Sequence, residues 1–217
     1  MRSIVSRIAL VACLVLCATG GSAAALDSGV FGFEEWQRAL AELPLDANEV
    51  VYPFHATPEM VEWVNTKLSQ YMTSSPEVRL QTLQKAFFES NEFEFEYDQA
   101  GTLTAEEAFA ARSGNCMSFT SLFIALSRSA GIPTFLVSVR RLPDIEMDQG
   151  LVVVNRHVVA GYRAPNRIHT YDFYVASSTP AGGHRVIDDL TASAIYHTNI
   201  GGLAIRQGNL PRAIHNL

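Results

Sequence analysis

The 217-residue chain has three cysteines, 14 glycines and 9 prolines, and only 18% of its residues are charged. So few cysteines exclude a disulfide-framed mini-protein, and so little glycine and proline exclude a collagen-like or low-complexity chain. Long apolar runs are lacking too. The eleven residues from Ile8 to Ala18 fall well short of the roughly 20 needed to cross a bilayer, and no later stretch comes close. What is abundant is apolar surface: 48% of the residues are hydrophobic, enough for one substantial core.

The short apolar run has the layout of a removable export signal. Arg2 and Arg7 precede it, and Ala23-Ala24-Ala25 offers a small-residue cleavage site before Leu26. Residues 1–25 are therefore read as a signal peptide, and the mature protein as periplasmic or secreted with no integral membrane span. Leu10-Val11-Ala12-Cys13 has lipobox character, but cutting there would leave only five apolar residues after Arg7, so ordinary cleavage is the preferred reading. Removing the signal leaves 14 Lys and Arg against 22 Asp and Glu, a net charge of −8 that argues against nucleic acid as a partner. Cleavage also discards Cys13 and Cys17. Cys116 is left as an unpaired thiol in an oxidising compartment, where it is either buried and inert or the point of the protein.

Periodicity divides the rest. An N-terminal helical region, 26–90, has helical spacing over Phe33–Leu43 and Pro58–Met72, and a third helix opening at Ser75-Pro76. A core, 91–189, begins with the strictly alternating Phe93-Glu94-Phe95-Glu96-Tyr97. The Thr104-Ala105-Glu106-Glu107 capping box then predicts a helix ending near Ser113-Gly114. An apolar helical run from Met117 to Ala130 stops at Gly131, with Pro133 beyond. Three strand-like runs follow, Thr134–Arg141, Leu151–Tyr162 and Arg167–Ala176. The acidic stretch Leu142–Gly150 between the first two, with Asp144, Glu146 and Asp148, is read as a solvated connection. Residues 190–217 turn helical again. Helices followed by a three-strand antiparallel meander make the chain α+β.

Cys116 falls at the start of the apolar helix. Unpaired N–H groups and the positive end of the helix dipole stabilise a thiolate there, and the same groups could hold an oxyanion. A thiolate nucleophile needs a base, and the base needs an orienting group. Of the six histidines, His55, His184 and His215 fall in loop-like or terminal stretches, while His157 and His169 fall on strands. Arg163-Ala164-Pro165-Asn166 has hairpin-turn chemistry. A turn centred between Ala164 and Pro165 pairs positions summing to 329, which sets His157 opposite Asp172. A type I turn with Pro165 in its second position shifts the sum to 331 and makes the two diagonal neighbours. In either even-length register His157 and Asp172 share a face, and His169, three residues from Asp172, points to the other.

These residues resemble the transglutaminase-like superfamily. Gly114-Asn115-Cys116-Met117-Ser118-Phe119-Thr120, with its helix ending Ser129-Ala130-Gly131-Ile132-Pro133, is similar to the family's catalytic cysteine segment. Arg156-His157-Val158-Val159-Ala160-Gly161 resembles its histidine strand, and Thr170-Tyr171-Asp172-Phe173 its aspartate strand. The resemblance spans about Phe93 to Ala176. It implies a papain-like α+β core in which Cys116 is the nucleophile, His157 the base and Asp172 the orienting group, with a peptide or protein as substrate. It does not choose between hydrolysis and acyl transfer. No Asp-x-Asp-x-Asp-Gly loop is present, so neither a metal nor another cofactor is expected. Gln99, upstream of the cysteine helix, is a weak candidate for the side-chain oxyanion donor.

In the 190–217 segment, Ile200-Gly201, Gly208 and Ala213 have the spacing of a tetratricopeptide helix pair, with Ala204 where a large residue is usual. The alternatives are an ordinary helical hairpin or the start of such a repeat, able to bind a protein partner. The rival reading of the whole chain is a catalytically silent transglutaminase-like domain that binds proteins through this tail.

Overall fold

The computed structural model describes residues 31–88, 93–99, 101–139, 145–148, 151–154, 157–173 and 184–217. The proposed signal segment lies outside them. Three helices come first, α1 (Phe33–Ala41), α2 (Pro58–Leu68) and α3 (Pro76–Phe88). Thr57 caps α2 by accepting from the Met60 N–H, and Pro58 takes the first helical position, where a missing N–H costs nothing. A two-residue strand β1 (Glu96–Tyr97) precedes α4 (Ala105–Ala111), which is capped by the expected Thr104/Glu107 box. A second short strand, β2 (Ser113–Gly114), lies parallel to β1 and leads directly into α5 (Cys116–Ser129).

α5 is the central element. Residues Met117 to Ser127 are buried without interruption, because α2, α3, α4 and the sheet surround the helix. A helix apolar on all sides needs such a position. The strands after it are β3 (Thr134–Val139), β4 (Ile145–Asp148), β5 (Leu151–Val154), β6 (His157–Ala164), β7 (Arg167–Tyr171) and β8 (His184–Ile187). The main sheet is antiparallel, in the order β7-β6-β3-β8. It contains the expected meander and differs from it in two ways. The run Leu151–Tyr162 is two strands, of which β5 pairs with β4 in a separate hairpin, so Glu146 and Asp148 lie on a strand rather than in a loop. A fourth strand, β8, joins the free edge of β3. Its composition, His-Arg-Val-Ile, carries too little alternation to announce it.

α6 (Asp189–Arg206) and α7 (Leu210–Asn216) close the chain. The Asp189 carboxylate, fully buried, holds Arg128 at the end of α5 through two bonds of 2.6 and 2.9 Å. The same carboxylate accepts from Tyr52 Oη at 3.1 Å and from the Gly32 N–H at 2.8 Å. Trp36 of α1 donates to Ser193 of α6 at 2.9 Å. One buried, hydrogen-bonded ion pair thus ties the N-terminal segment, the central helix and the C-terminal helix together. Burial and the nearby carboxylate raise the Tyr52 phenol well above its ordinary range, so it remains a donor. α7 packs on α6 where Gly201 faces Leu217, with Ala204 and Ala213 buried between the helices.

Candidate active site

Cys116 occupies the first position of α5 and is half-buried, whereas the eleven residues after it are buried. Local chemistry fixes it there. Asn115, in extended conformation, is the N-cap, and its side-chain oxygen accepts from the Met117 and Ser118 N–H groups at 3.0 and 3.2 Å. Its amide donates to Thr102 Oγ1 at 2.6 Å. Two of the helix N–H groups that could serve an anion are therefore already used by Asn115.

The neighbouring residues account for the rest of the Gly114–Ser118 sequence. Gly114 has φ +149°, and a Cβ on it would lie 2.4 Å from Ser118 Cβ. Only glycine allows the chain to enter the helix this close to Ser118. Ser118 Oγ donates to the Gly101 carbonyl at 2.6 Å and accepts from the Leu103 N–H at 2.7 Å, which ties the loop after β1 to the helix start. One turn on, Thr120 Oγ1 donates to the Val158 carbonyl at 3.2 Å and fixes α5 against the strand that carries His157.

The hairpin adopts the register summing to 331: Ala164 faces Arg167 and Ala160 faces Tyr171. His157 and Asp172 are therefore diagonal neighbours, beyond the last β6–β7 pair. His157 Nε2 lies 2.9 and 2.8 Å from the two Asp172 oxygens, and the side chains are only 13% and 11% exposed. The ionised carboxylate can only accept, so Nε2 carries the proton and Nδ1 is the nitrogen left for the thiol. Burial by itself would lower the His157 pKa; hydrogen bonds from the ring to Asp172 and to the Cys116 sulfur, with the charges behind them, outweigh it and raise the value to about 9. Cys116, His157 and Asp172 are thus brought together.

His169 is not part of this group. It pairs across from Tyr162 and accepts from Arg167 Nε at 3.0 Å, toward Glu77 of α3. His184 begins β8, and His55 is in an exposed loop. His197 is structural: it accepts from the Val51 N–H at 3.0 Å. Gln99 lies in an exposed turn just past β1.

Strict alternation would set His157 and Asp172 with Val159 and Ile168, on the sheet face away from α5. They reach Cys116 because they lie at the rim, where β6 and β7 have stopped pairing and Asp172 has left the strand. Two further contacts fix Asp172 there. Gln84 of α3 donates to its carbonyl at 2.8 Å. Phe173, the next residue, is seated among Phe88, Phe95, Tyr97 and Phe119, with ring centroids 5.1–6.0 Å apart. Sequence reading missed Gln84, which sits unremarkably on a helix. Ser118 and Thr120 had a usable signal, as hydroxyls inside an otherwise apolar run.

Among the described residues no group of three or more His, Cys, Asp or Glu side chains could hold a metal ion. No described helix is long and apolar enough to cross a membrane.

The family model of the transglutaminase-like superfamily matches residues 66–173, a span that holds all three of these residues. No curated protein matches the chain. Two solved structures are similar. One is a protein from Cytophaga hutchinsonii inferred to be a cysteine protease, 15% identical with a TM-score of 0.36, over 73% of this chain and 49% of that one. The other is the periplasmic domain of TgpA from Pseudomonas aeruginosa bound to ethylmercury, 17% identical with a TM-score of 0.37, over 70% of this chain and 51% of that one. The chain spans about half the length of the solved structures it matches.

Proposed function

The chain carries a transglutaminase-like superfamily domain over residues 66–173, and we propose that it is an exported thiol hydrolase or acyltransferase acting on a peptide or amide bond through Cys116. The observation that carries the reading is His157, held by Asp172 on one ring nitrogen and within hydrogen-bonding reach of the Cys116 sulfur. A ring with a pKa near 9 keeps a proton at neutral pH, which favours a thiolate–imidazolium pair.

In this mechanism Cys116 Sγ attacks the carbonyl carbon, and the carbonyl electrons move onto oxygen. Since Asn115 engages the Met117 and Ser118 N–H groups, the backbone N–H of Cys116 itself is our candidate helix donor for that oxyanion. His157 gives its proton to the departing amine as the C–N bond breaks, leaving a thioester. Water, deprotonated by the now neutral His157, then attacks the thioester and releases the acid; an amine in its place gives transamidation. Hydrolysis is the preferred outcome, because water is abundant and no amine-binding feature is visible among the described residues. Asp172 fixes the ring tautomer throughout.

The test is alkylation by iodoacetamide at pH 6, where an ordinary thiol of pKa about 8.5 is only about 0.3% ionised and reacts slowly. Rapid labelling of Cys116, lost in His157→Ala, is expected. An inert thiol would refute the enzyme reading. A screen of peptide and peptidoglycan fragments for acyl adducts on Cys116 would then identify the substrate.

A further inference from the structure

Beside the candidate nucleophile lies a surface that the three catalytic side chains do not account for. The alternation of Phe93-Glu94-Phe95-Glu96-Tyr97 buries its odd positions, and Phe93 and Phe95 are 2% and 5% exposed. Tyr97 has the same parity but is 42% exposed. Its placement is nonetheless fixed from two sides. In the β1–β2 ladder it is the register partner of Gly114, and the Asp98 N–H after it donates to the Gly114 carbonyl at 3.0 Å. Its ring lies 5.1 Å from that of Phe173. Gly114 is two residues before Cys116, and Phe173 follows Asp172.

Tyr97 therefore spans from the cysteine side of the site to the aspartate side. It is the outer member of an aromatic series that runs inward through Phe173 to Phe119 and Phe87. Strands lie about 5 Å apart, so the ring stands within roughly one to two residue lengths of a carbonyl seated at Cys116. An aromatic held rigidly by its backbone, with two-fifths of its surface in water, gains most when an apolar group covers it. The segment also exposes Glu94, Glu96 and Asp98, which disfavour an anionic side chain at the same place.

We propose that Tyr97, backed by Phe173, is a substrate-binding platform that selects peptides with an aromatic or large aliphatic side chain next to the carbonyl attacked by Cys116. The proposal rests on the thiol-enzyme reading for the identity of its occupant, but binding can be measured without chemistry.

In the full chain carrying Cys116→Ala, binding of acetyl-Gly-Phe-Gly-amide, acetyl-Gly-Ala-Gly-amide and acetyl-Gly-Glu-Gly-amide would be compared by NMR titration. The Phe peptide should bind about tenfold more tightly than the Ala peptide, and the Glu peptide no better than the Ala peptide. Tyr97→Ala should remove the Phe preference, and Tyr97→Phe should keep it, which separates the platform from a folding defect. Equal binding of the Phe and Ala peptides, no detectable binding of either, or a preference that survives Tyr97→Ala would overturn the proposal. The same peptides mixed with the protein carrying Cys116 distinguish the two readings. A Tyr97-dependent preference without a thioester adduct upholds the platform and refutes the enzyme; a thioester without the preference does the reverse.

Discussion

Replacing Asp172 by Asn removes one charge and little volume from the His157 partner, so its effect can be worked from the geometry. In the folded protein the His157 pKa is raised from 6.5 to about 9. At 1.36 kcal/mol per unit that is a net preference of about 3 kcal/mol for the imidazolium, reached against the burial of a ring that is 13% exposed. The Asp172 oxygens are 2.8 and 2.9 Å from Nε2. Unit charges with centres about 4 Å apart attract by about 4 kcal/mol at an effective dielectric of 20, so Asp172 supplies a large part of the preference, beside the Cys116 contact and against burial. Without the carboxylate, burial faces only the Cys116 contact, and the ring should titrate at or below about 6.5. The sign follows directly: a raised pKa holds the proton at lower pH and loses it as pH rises through the folded value. Between pH 6.5 and about 9 the parent His157 is charged and the Asp172→Asn ring is neutral. Imidazole ¹⁵N titration, with His157→Gln to assign the signal, reads this directly. A variant ring still titrating near 9 would refute the assignment of the shift to Asp172, and a parent ring titrating near 6.5 would refute the shift itself.

Two stability predictions accompany it. Gly114→Ala places a methyl 2.4 Å from Ser118 Cβ at φ +149° and should cost about 3 kcal/mol or more, whereas Gly131→Ala, at φ +77° with nothing within 4 Å, should cost only the backbone strain of about 1 kcal/mol. Urea midpoints of the two variants check the contrast; equal losses would contradict the clash argument. Asp189→Ala leaves Arg128 charged and unpaired at a site where its side chain is 18% exposed, so a loss of about 3–5 kcal/mol is expected. Thermal unfolding should fall by about 10 °C, and a change under 2 °C would show that the pair contributes little.

Much of the site was legible along the chain because its parts are local. A cysteine at the head of an apolar run places a thiol on a helix end; Pro165 in a four-residue turn allows two registers, and both keep His157 near Asp172. The alternation rule carried that pairing but could not say which sheet face meets the helix, and the pair in fact reaches Cys116 from the rim. Contacts such as Gln84 to the Asp172 carbonyl, or Asp189 to Arg128, join residues 88 and 61 positions apart, and nothing local marks them.

The sequence by itself determined the apolar helix that starts at Cys116 and the hairpin that carries the histidine and the carboxylate. These follow from hydrogen-bond satisfaction and side-chain period within a few residues. Tertiary structure decided that the hairpin's rim comes to the helix start, that Tyr97 stays exposed where its parity predicts burial, and that one buried carboxylate joins Gly32, Tyr52 and α6 to α5. Such outcomes depend on which surfaces exclude water together, and short-range patterns do not encode that.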